Sequence, residues 1–275
     1  MNVSKWSMSV LLAVACLFIA TPVWAAKKME TSTACKKKKW SQKRFSHRLF
    51  SGMLKKYVRN GLVNYNGFRK KRRKLDKYLC RLAHTNVKKI RSRKARFAFW
   101  INAYNAITIR AILDRLPRSR GGQKSFSVVK KKWNFWKGSK YEVSGKWYTL
   151  DQIENGLIRP RFKDARLHFA LVCGARGCPH LASRSYTGSR LSRMLTKNTR
   201  KYLASSAGFK LDRGAKTVHV SKLFQWYRKD FEQKHKHYLL FIAKFLKKSD
   251  RKFVRKHYKE LKVKWIHYSW ALNLQ

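Results

Sequence analysis

KARFAFWINAYNAITIRAILDRL, residues 94–116, is the stretch that decides the fold. Its apolar side chains fall on most sides of a helical spiral, and Pro117 stops the helix. A helix with so little polar surface has no face to give to water and belongs in the middle of a domain. Three of its residues, Asn102, Tyr104 and Asn105, carry polar groups that burial obliges to find hydrogen-bond partners. They either tie the helix to neighbouring loops or face a ligand, with the structural tie favoured.

Working outward, Leu49, Phe50, Met53, Leu54, Tyr57 and Val58 recur at helical spacing over residues 47–58, and Asn60-Gly61 is expected to end that helix. A second helix carries Leu75, Tyr78, Leu79 and Leu82. Residues 125–148 are rich in aromatics and read as short strands, with a turn at Ser144-Gly145. Thr149 and Gln152 form a capping box opening a helix that runs through Ile158 and is closed by Pro160. Leu167 to Val172 has the length and content of a buried strand. Further helices are expected at about 188–204, 222–232, 237–247 and 250–258, with strands near 216–220 and 262–268. No internal repeat and no dividing linker appears. The prediction is an α+β fold, a single mixed domain over residues 46–275 with a buried central helix, several surrounding helices and a small β-sheet.

At the N-terminus, Lys5 is the only charge before an apolar run from Met8 to Trp24, and Val23 and Ala25 then supply a small-residue cleavage pattern. Residues 1–25 read as a secretory signal peptide, cut before Ala26. The run is at the short end of what spans a bilayer, roughly 17–25 residues, and it contains Pro22. The mature protein is therefore expected to be periplasmic or secreted, with no transmembrane segment left. Cys16, preceded by small residues, makes a lipoprotein anchor the lesser alternative.

Lys and Arg number 67 against 12 Asp and Glu, a formal net charge of +55. Losing the signal removes Lys5 alone and leaves +54. The basic residues are spread from Lys27 to Lys264, and Lys36–Lys39 lies in what reads as a basic flexible arm over residues 26–45. With 44% hydrophobic residues, ten Trp and sixteen Phe, the chain has the material for a core despite its charge. No helix-turn-helix, zinc-finger or RNA-recognition signature accompanies that charge, so no nucleic-acid partner is expected. A solvated basic surface is the plain alternative, and an anionic envelope polymer or lipid is the partner such a surface would hold. No phosphate loop, dinucleotide fingerprint or serine triad motif is present, and no cofactor is implied.

The chemistry concentrates in RLHFALVCGARGCP, residues 166–179. After signal cleavage four cysteines remain, Cys35, Cys80, Cys173 and Cys178, and four cysteines allow three pairings. A local Cys173–Cys178 disulfide across the glycine-containing loop is sterically reasonable. The sharper alternative makes Cys178 or Cys173 a nucleophile with His168 as its base, and Arg176, Glu154, Asn102 and Asn105 as supporting groups. On an extended strand His168 and Cys173 would point to opposite faces, which favours Cys178 on the returning loop. Metal binding by His168, Cys173, Cys178 and His180 is a third alternative, although the spacing matches no common zinc motif; inert buried thiols are the fourth. Glu154 is either paired with a buried arginine such as Arg166 or a tuned acid/base. Trp226, Tyr227 and Phe231 at helical spacing read as core, and His235 and His237 as surface.

Five blocks in order now carry a resemblance: YVRNGLVNY (57–65), FWINAYNA (99–106), LDQIEN (150–155), His168 to Pro179, and SKLFQWYRKDF (221–231, including Asp230), echoed by YSWALN (268–273). Together they resemble the family known as domain of unknown function 547, over most of the mature chain. The resemblance implies an exported bacterial protein. It also implies kinship with chains fused to other modules, glutaredoxin among them, which points by association to thiol chemistry. Asn60, Asn64 and Ser269 stand where the family would place carboxylates. Two functions of different class follow. One is a thiol (Cys/His) enzyme acting on amide bonds or disulfides in the cell envelope. The other is a non-catalytic envelope scaffold with a structural Cys173–Cys178 disulfide and a basic surface for anionic polymers or lipids.

Overall fold

The computed structural model describes residues 27–29, 45–127 and 135–275. The expected signal peptide, Cys16, Cys35 and Lys36–Lys39 lie outside these residues. Within the expected flexible arm, Lys27–Lys28 forms a short strand, β1.

Helix α1 (Arg48–Tyr57) buries Phe50, Met53, Leu54 and Tyr57 on one face. The chain then makes a tight hairpin, β2 (Val58–Arg59) and β3 (Leu62–Val63). Asn60-Gly61 turns this hairpin rather than merely ending the helix, because both residues have positive φ, 51° and 86°, as a two-residue primed turn requires. Ser144-Gly145 does the same, at 56° and 73°, between β4 (Ser139–Val143) and β5 (Lys146–Tyr148). Between the hairpins come α2 (Tyr65–Lys70), α3 (Arg72–Ala83), α4 (Arg93–Leu113) and α5 (Arg120–Lys124).

Helix α4 is the buried centre: every residue from Phe97 to Leu113 is buried. Ser92 caps its start, accepting a hydrogen bond from the Ala95 amide at 3.3 Å. Helices α2 and α3 and the segment carrying Glu154 pack around it. Arg110, the one buried arginine among the described residues, is neutralised on two sides. Its Nε donates to Asp76 at 2.8 Å and another nitrogen reaches Asp114, which Arg72 also holds at 2.7 Å. A buried cation without such partners would cost several kcal/mol.

The capping box is present in both directions: the Thr149 amide donates to Gln152 Oε1 at 2.9 Å and the Gln152 amide to Thr149 Oγ1 at 3.1 Å. Pro160 does not close the helix it opens. The spiral widens into a π-helical stretch over Gln152–Ile158 and continues as α6 (Arg159–Phe162), with Pro160 in its first turn. Proline lacks only a donor there, where none is needed.

Then come α7 (Leu191–Leu203), β6 (Phe209–Asp212), β7 (Thr217–Ser221), α8 (Leu223–Trp226), α9 (Arg228–Glu232), α10 (Tyr238–Ala243), α11 (Lys248–His257) and β8 (Lys262–Ile266). Among the described residues the β content is divided among three small sheets, β1-β4-β5, β2-β3 and β6-β7-β8. The fold is thus α+β in one domain, and no described helix is long and apolar enough to cross a membrane.

The expected strand at Leu167–Val172 is absent. Residues Ala165–Phe169 form a tight 3₁₀ turn, and the chain then runs irregularly to Cys173. Its backbone partner is a side chain of α4: Asn105 Nδ2 donates to the Ala170 carbonyl at 2.9 Å and the Val172 amide donates to Asn105 Oδ1 at 3.0 Å. Asn102, one turn away, clamps Tyr186 in the same two-bond manner, at 2.8 and 2.9 Å. Replacing Asn105 with alanine strands a buried carbonyl and a buried amide, each worth about 1–3 kcal/mol. Asn105→Ala is expected to lower unfolding free energy by about 2–4 kcal/mol in chemical denaturation; a loss below about half that would show that the loop does not depend on this clamp.

Candidate functional site

The clamp delivers the chain into the loop Cys173-Gly-Ala-Arg-Gly-Cys178, whose shape depends on two glycines. Gly174 has φ of 89°, a conformation that side chains resist. A Cβ on Gly177 would lie 2.9 Å from the Ser269 backbone nitrogen and 3.0 Å from the Tyr268 ring. That closeness exists because the C-terminal residues 268–275 lace the loop in place. The Arg176 amide donates to the Ala271 carbonyl at 2.7 Å, the Gly177 amide to Ser269 at 2.8 Å and the Asn273 amide to Gly174 at 2.8 Å. The same strap is anchored to the hairpin, since the Val63 amide donates to the Asn273 carbonyl at 2.8 Å and the Tyr65 hydroxyl to Asn273 Oδ1 at 2.7 Å.

Cys173 and Cys178 are free thiols with their sulfurs 2.8 Å apart, outside the roughly 2.05 Å of a disulfide bond. The structural disulfide expected between them is therefore not formed in this state. The two environments differ. Cys178 is 8% exposed and Cys173 is half-buried. The Cys173 backbone amide donates to Cys178 Sγ at 3.1 Å, and the Tyr268 hydroxyl lies 3.5 Å from Cys173 Sγ. The hydrogen bond from Cys178, joined by those from Tyr268 and the Ala175 amide, outweighs burial and holds the Cys173 thiol below its ordinary pKa. Burial, and the neighbouring Cys173 sulfur, push Cys178 well above.

Both sulfurs line a cavity of about 280 Å³ together with Tyr104, Glu154, His168, Tyr227, Tyr268 and the indoles of Trp136, Trp226 and Trp270. The 3₁₀ turn breaks strand alternation, so His168 and Cys173 reach one cavity despite their odd spacing. His168 is 3% exposed and stacks on Tyr227 with ring centroids 3.9 Å apart. Its Nε2 bonds Asp230 Oδ2 at 2.8 Å, and Arg159 grips the same carboxylate at 2.7 and 3.1 Å. Burial depresses the imidazole pKa more than its partners raise it. Burial pushes the Asp230 carboxyl up, but hydrogen bonds from His168 and Arg159 outweigh it and hold the group well below the usual carboxylate range. The neutral imidazole therefore donates Nε2–H to an ionised carboxylate.

Several assignments made from the sequence change. Glu154 bonds the Tyr227 hydroxyl at 2.9 Å, not Arg166, which pairs with its near neighbour Asp164 at 2.7 Å. Arg176 points outward, is exposed, and bonds the Leu274 carbonyl at 3.3 Å rather than a thiolate. Asn102 and Asn105 spend their amides on backbone, while Tyr104 lines the cavity. Trp226 is 44% exposed rather than core. Helix α8 ends at Trp226, so the spacing that would have carried its indole inward with Phe231 is interrupted at Tyr227. His237 caps α10, accepting from the Leu239 amide at 3.2 Å. His168, Cys173, Cys178 and His180 do not converge: among the described residues no three His, Cys, Asp or Glu side chains are placed to hold a metal ion. Tyr268, Trp270, Trp136 and Asp151 were not singled out as site residues. Only YSWALN (268–273), the echo of the last block of the resemblance, signalled two of them, Tyr268 and Trp270.

Residues 87–203 match the model of a family described as "Protein of unknown function, DUF547". That span holds α4, the π-helical stretch, the cysteine loop and α7, whereas Trp226, Asp230 and Tyr268 lie beyond it. No curated protein and no solved structure matches the chain.

Because burial holds folded His168 below its ordinary pKa of 6.5, the unfolded chain takes up this proton first, and the contribution to stability is lost as pH falls below about 6.5. A nitrogen-15 NMR titration is expected to show His168 ionising at lower pH in the folded chain than in the unfolded one, with the proton of its neutral form on Nε2; ionisation at or above 6.5 in the folded chain would contradict the assignment.

Proposed function

We propose that this chain, whose residues 87–203 match the domain of unknown function 547 family, is a dithiol–disulfide exchange protein whose reacting pair is Cys173 and Cys178. The observation that carries the proposal is the contact of two free thiols at 2.8 Å, one accessible with a lowered pKa and one buried with a raised pKa. Attack on a disulfide needs a thiolate, and Cys173 is the sulfur that supplies it. In the first step Cys173 Sγ attacks one sulfur of a substrate disulfide, forming a mixed disulfide and releasing the other half as a thiolate. In the second, Cys178 attacks Cys173 Sγ, its proton leaves with the departing thiolate, and the Cys173–Cys178 disulfide closes. Two electrons have passed to the substrate, and an external dithiol of the reducing class returns the pair to its starting state. Run backwards, the same steps oxidise a substrate dithiol.

Acyl transfer to a Cys–His pair has less support. Among the described residues neither sulfur bonds to His168, whose Nε2 is taken by Asp230. The proposal includes export by the segment read as a signal peptide, which would place the pair among the disulfides of an oxidising compartment.

The test uses the full mature chain, reduced, with bis(hydroxyethyl) disulfide as substrate and dithiothreitol as the recycling dithiol. Cys178→Ser is expected to accumulate a mixed disulfide on Cys173, seen as a single adduct by mass spectrometry. Cys173→Ser should form no adduct and fall to the uncatalysed rate. Equal trapping on either cysteine, or turnover surviving in Cys173→Ser, would overturn the assignment.

A further inference from the structure

Beside the thiols, four aromatic rings form a connected wall. Trp136 meets Trp270 edge-on at 6.2 Å, Trp270 stacks on Trp226 at 5.7 Å, and Tyr268 touches Trp226 at 4.9 Å and Trp270 at 4.6 Å. Trp226 is nearly half exposed, an apolar surface of the kind that marks a binding position when it adjoins a cavity. Tyr227 does not belong to this wall, since its ring is taken up by His168 and by the Arg159 guanidinium 5.0 Å from its centroid.

Glu154 stands in the same cavity, 9% exposed. Among the described residues it makes no ion pair, and its hydrogen-bond partner is the neutral Tyr227 hydroxyl. Glu142, Asp151 and Asp212 also lack an ion pair among the described residues, but Glu154 is the buried one of the four, in a chain with 67 basic side chains. Asp76, Asp114, Asp164, Asp230, Glu232 and Asp250 are each engaged by an arginine. Arg159, whose charge acts on Glu154, is held away in two bonds to Asp230. Asp151 also lines the cavity, its Oδ1 accepting from Asn155 at 2.9 Å. Lys137 is the single basic lysine or arginine in the lining against these two carboxylates. The cavity thus reverses the sign of the chain around it.

We infer that the cavity binds an organic cation, an ammonium or guanidinium group set against the Trp226–Trp270–Tyr268 wall with Glu154 as its counter-ion. Indole faces attract cations through their quadrupole, more strongly where water is excluded. A buried carboxylate with no cation of its own gains most from one that arrives with a ligand. The inference deepens the dithiol proposal, on which it rests for the word substrate. It names the substrate class as a disulfide carrying a positive charge near the sulfur. A cation preference also runs against the long-range field of a +54 chain, which would favour anions, so the sign of the preference is itself informative.

Two measurements on the full mature chain separate this inference from the exchange chemistry. In the first, saturation-transfer NMR compares choline with its neutral carbon isostere; choline is expected to bind at least about tenfold more tightly, a preference that Glu154→Gln and Trp226→Ala each remove. In the second, reduction of cystamine is compared with that of dithiodipropionate, each rate divided by that for free dithiothreitol. The normalised ratio should favour the dication about tenfold and fall toward one in Trp226→Ala, whose exposed indole makes that variant the safer one for folding. Choline binding with no disulfide reduction would sustain the cation site and sink the exchange proposal. Reduction of both disulfides with no cationic preference, and no choline binding, would sink the cation site and leave the exchange chemistry standing.

Discussion

The carboxamide of Asn105 holds the site together. It projects from the buried stretch of α4, donates to one backbone group of the loop at residues 170–172 and accepts from another. In the low dielectric of the core both bonds are strong, and losing either would leave a buried partner unsatisfied. A peptide segment is thereby docked to a side chain as if to a neighbouring strand. Docking to one residue fixes position without imposing the alternation of a sheet. The chain is free to turn tightly before the contact and to swing into the cysteine loop after it. Asn102 repeats the device on Tyr186, so two amides on one side of a helix tie down two separate segments.

What the loop presents is an asymmetric pair of sulfurs. Cys173 is open to the cavity and surrounded by donors, whereas Cys178 is enclosed and pressed against the first sulfur. The C-terminal strap creates this difference. It brings Tyr268 to the thiols and leaves no room for a side chain at Gly177. The other wall is built from a relay of fixed polar contacts, Arg159 to Asp230 to His168, with Tyr227 stacked on the imidazole and bonded to Glu154. The π-helical widening over Gln152–Ile158 is where Glu154 is carried, and such widenings recur at functional sites because they re-aim a side chain without ending the helix.

The large positive charge plays little part in the interior. The buried cation Arg110 is matched by two carboxylates, and six of the twelve acidic residues serve as partners to individual arginines. Among the described residues Glu142, Asp151, Glu154 and Asp212 make no ion pair, and Glu154 alone of these is buried; its place in an aromatic-walled cavity gives that burial a chemical meaning.

The sequence by itself determined features set by short-range physics. The apolar content of residues 97–113 required a buried helix, Ser144-Gly145 required a primed turn, and Thr149 with Gln152 required a helix start, since periodicity, backbone sterics and capping act over a few residues. The blocks around Asn102 and Cys173 also identified the segments that carry the site. Tertiary structure alone decided the partners, because those contacts join residues far apart in the chain. His168 and Asp230 are separated by 62 positions, Glu154 and Tyr227 by 73, and Cys173 and Tyr268 by 95. No local pattern records which donor reaches which thiol, or that the helix bearing Trp226 stops before its indole can turn inward. For the same reason Leu167–Val172, apolar enough for a strand, became one side of a clamp: the hydrogen-bond partner that decided its conformation lies on another element, more than sixty residues earlier.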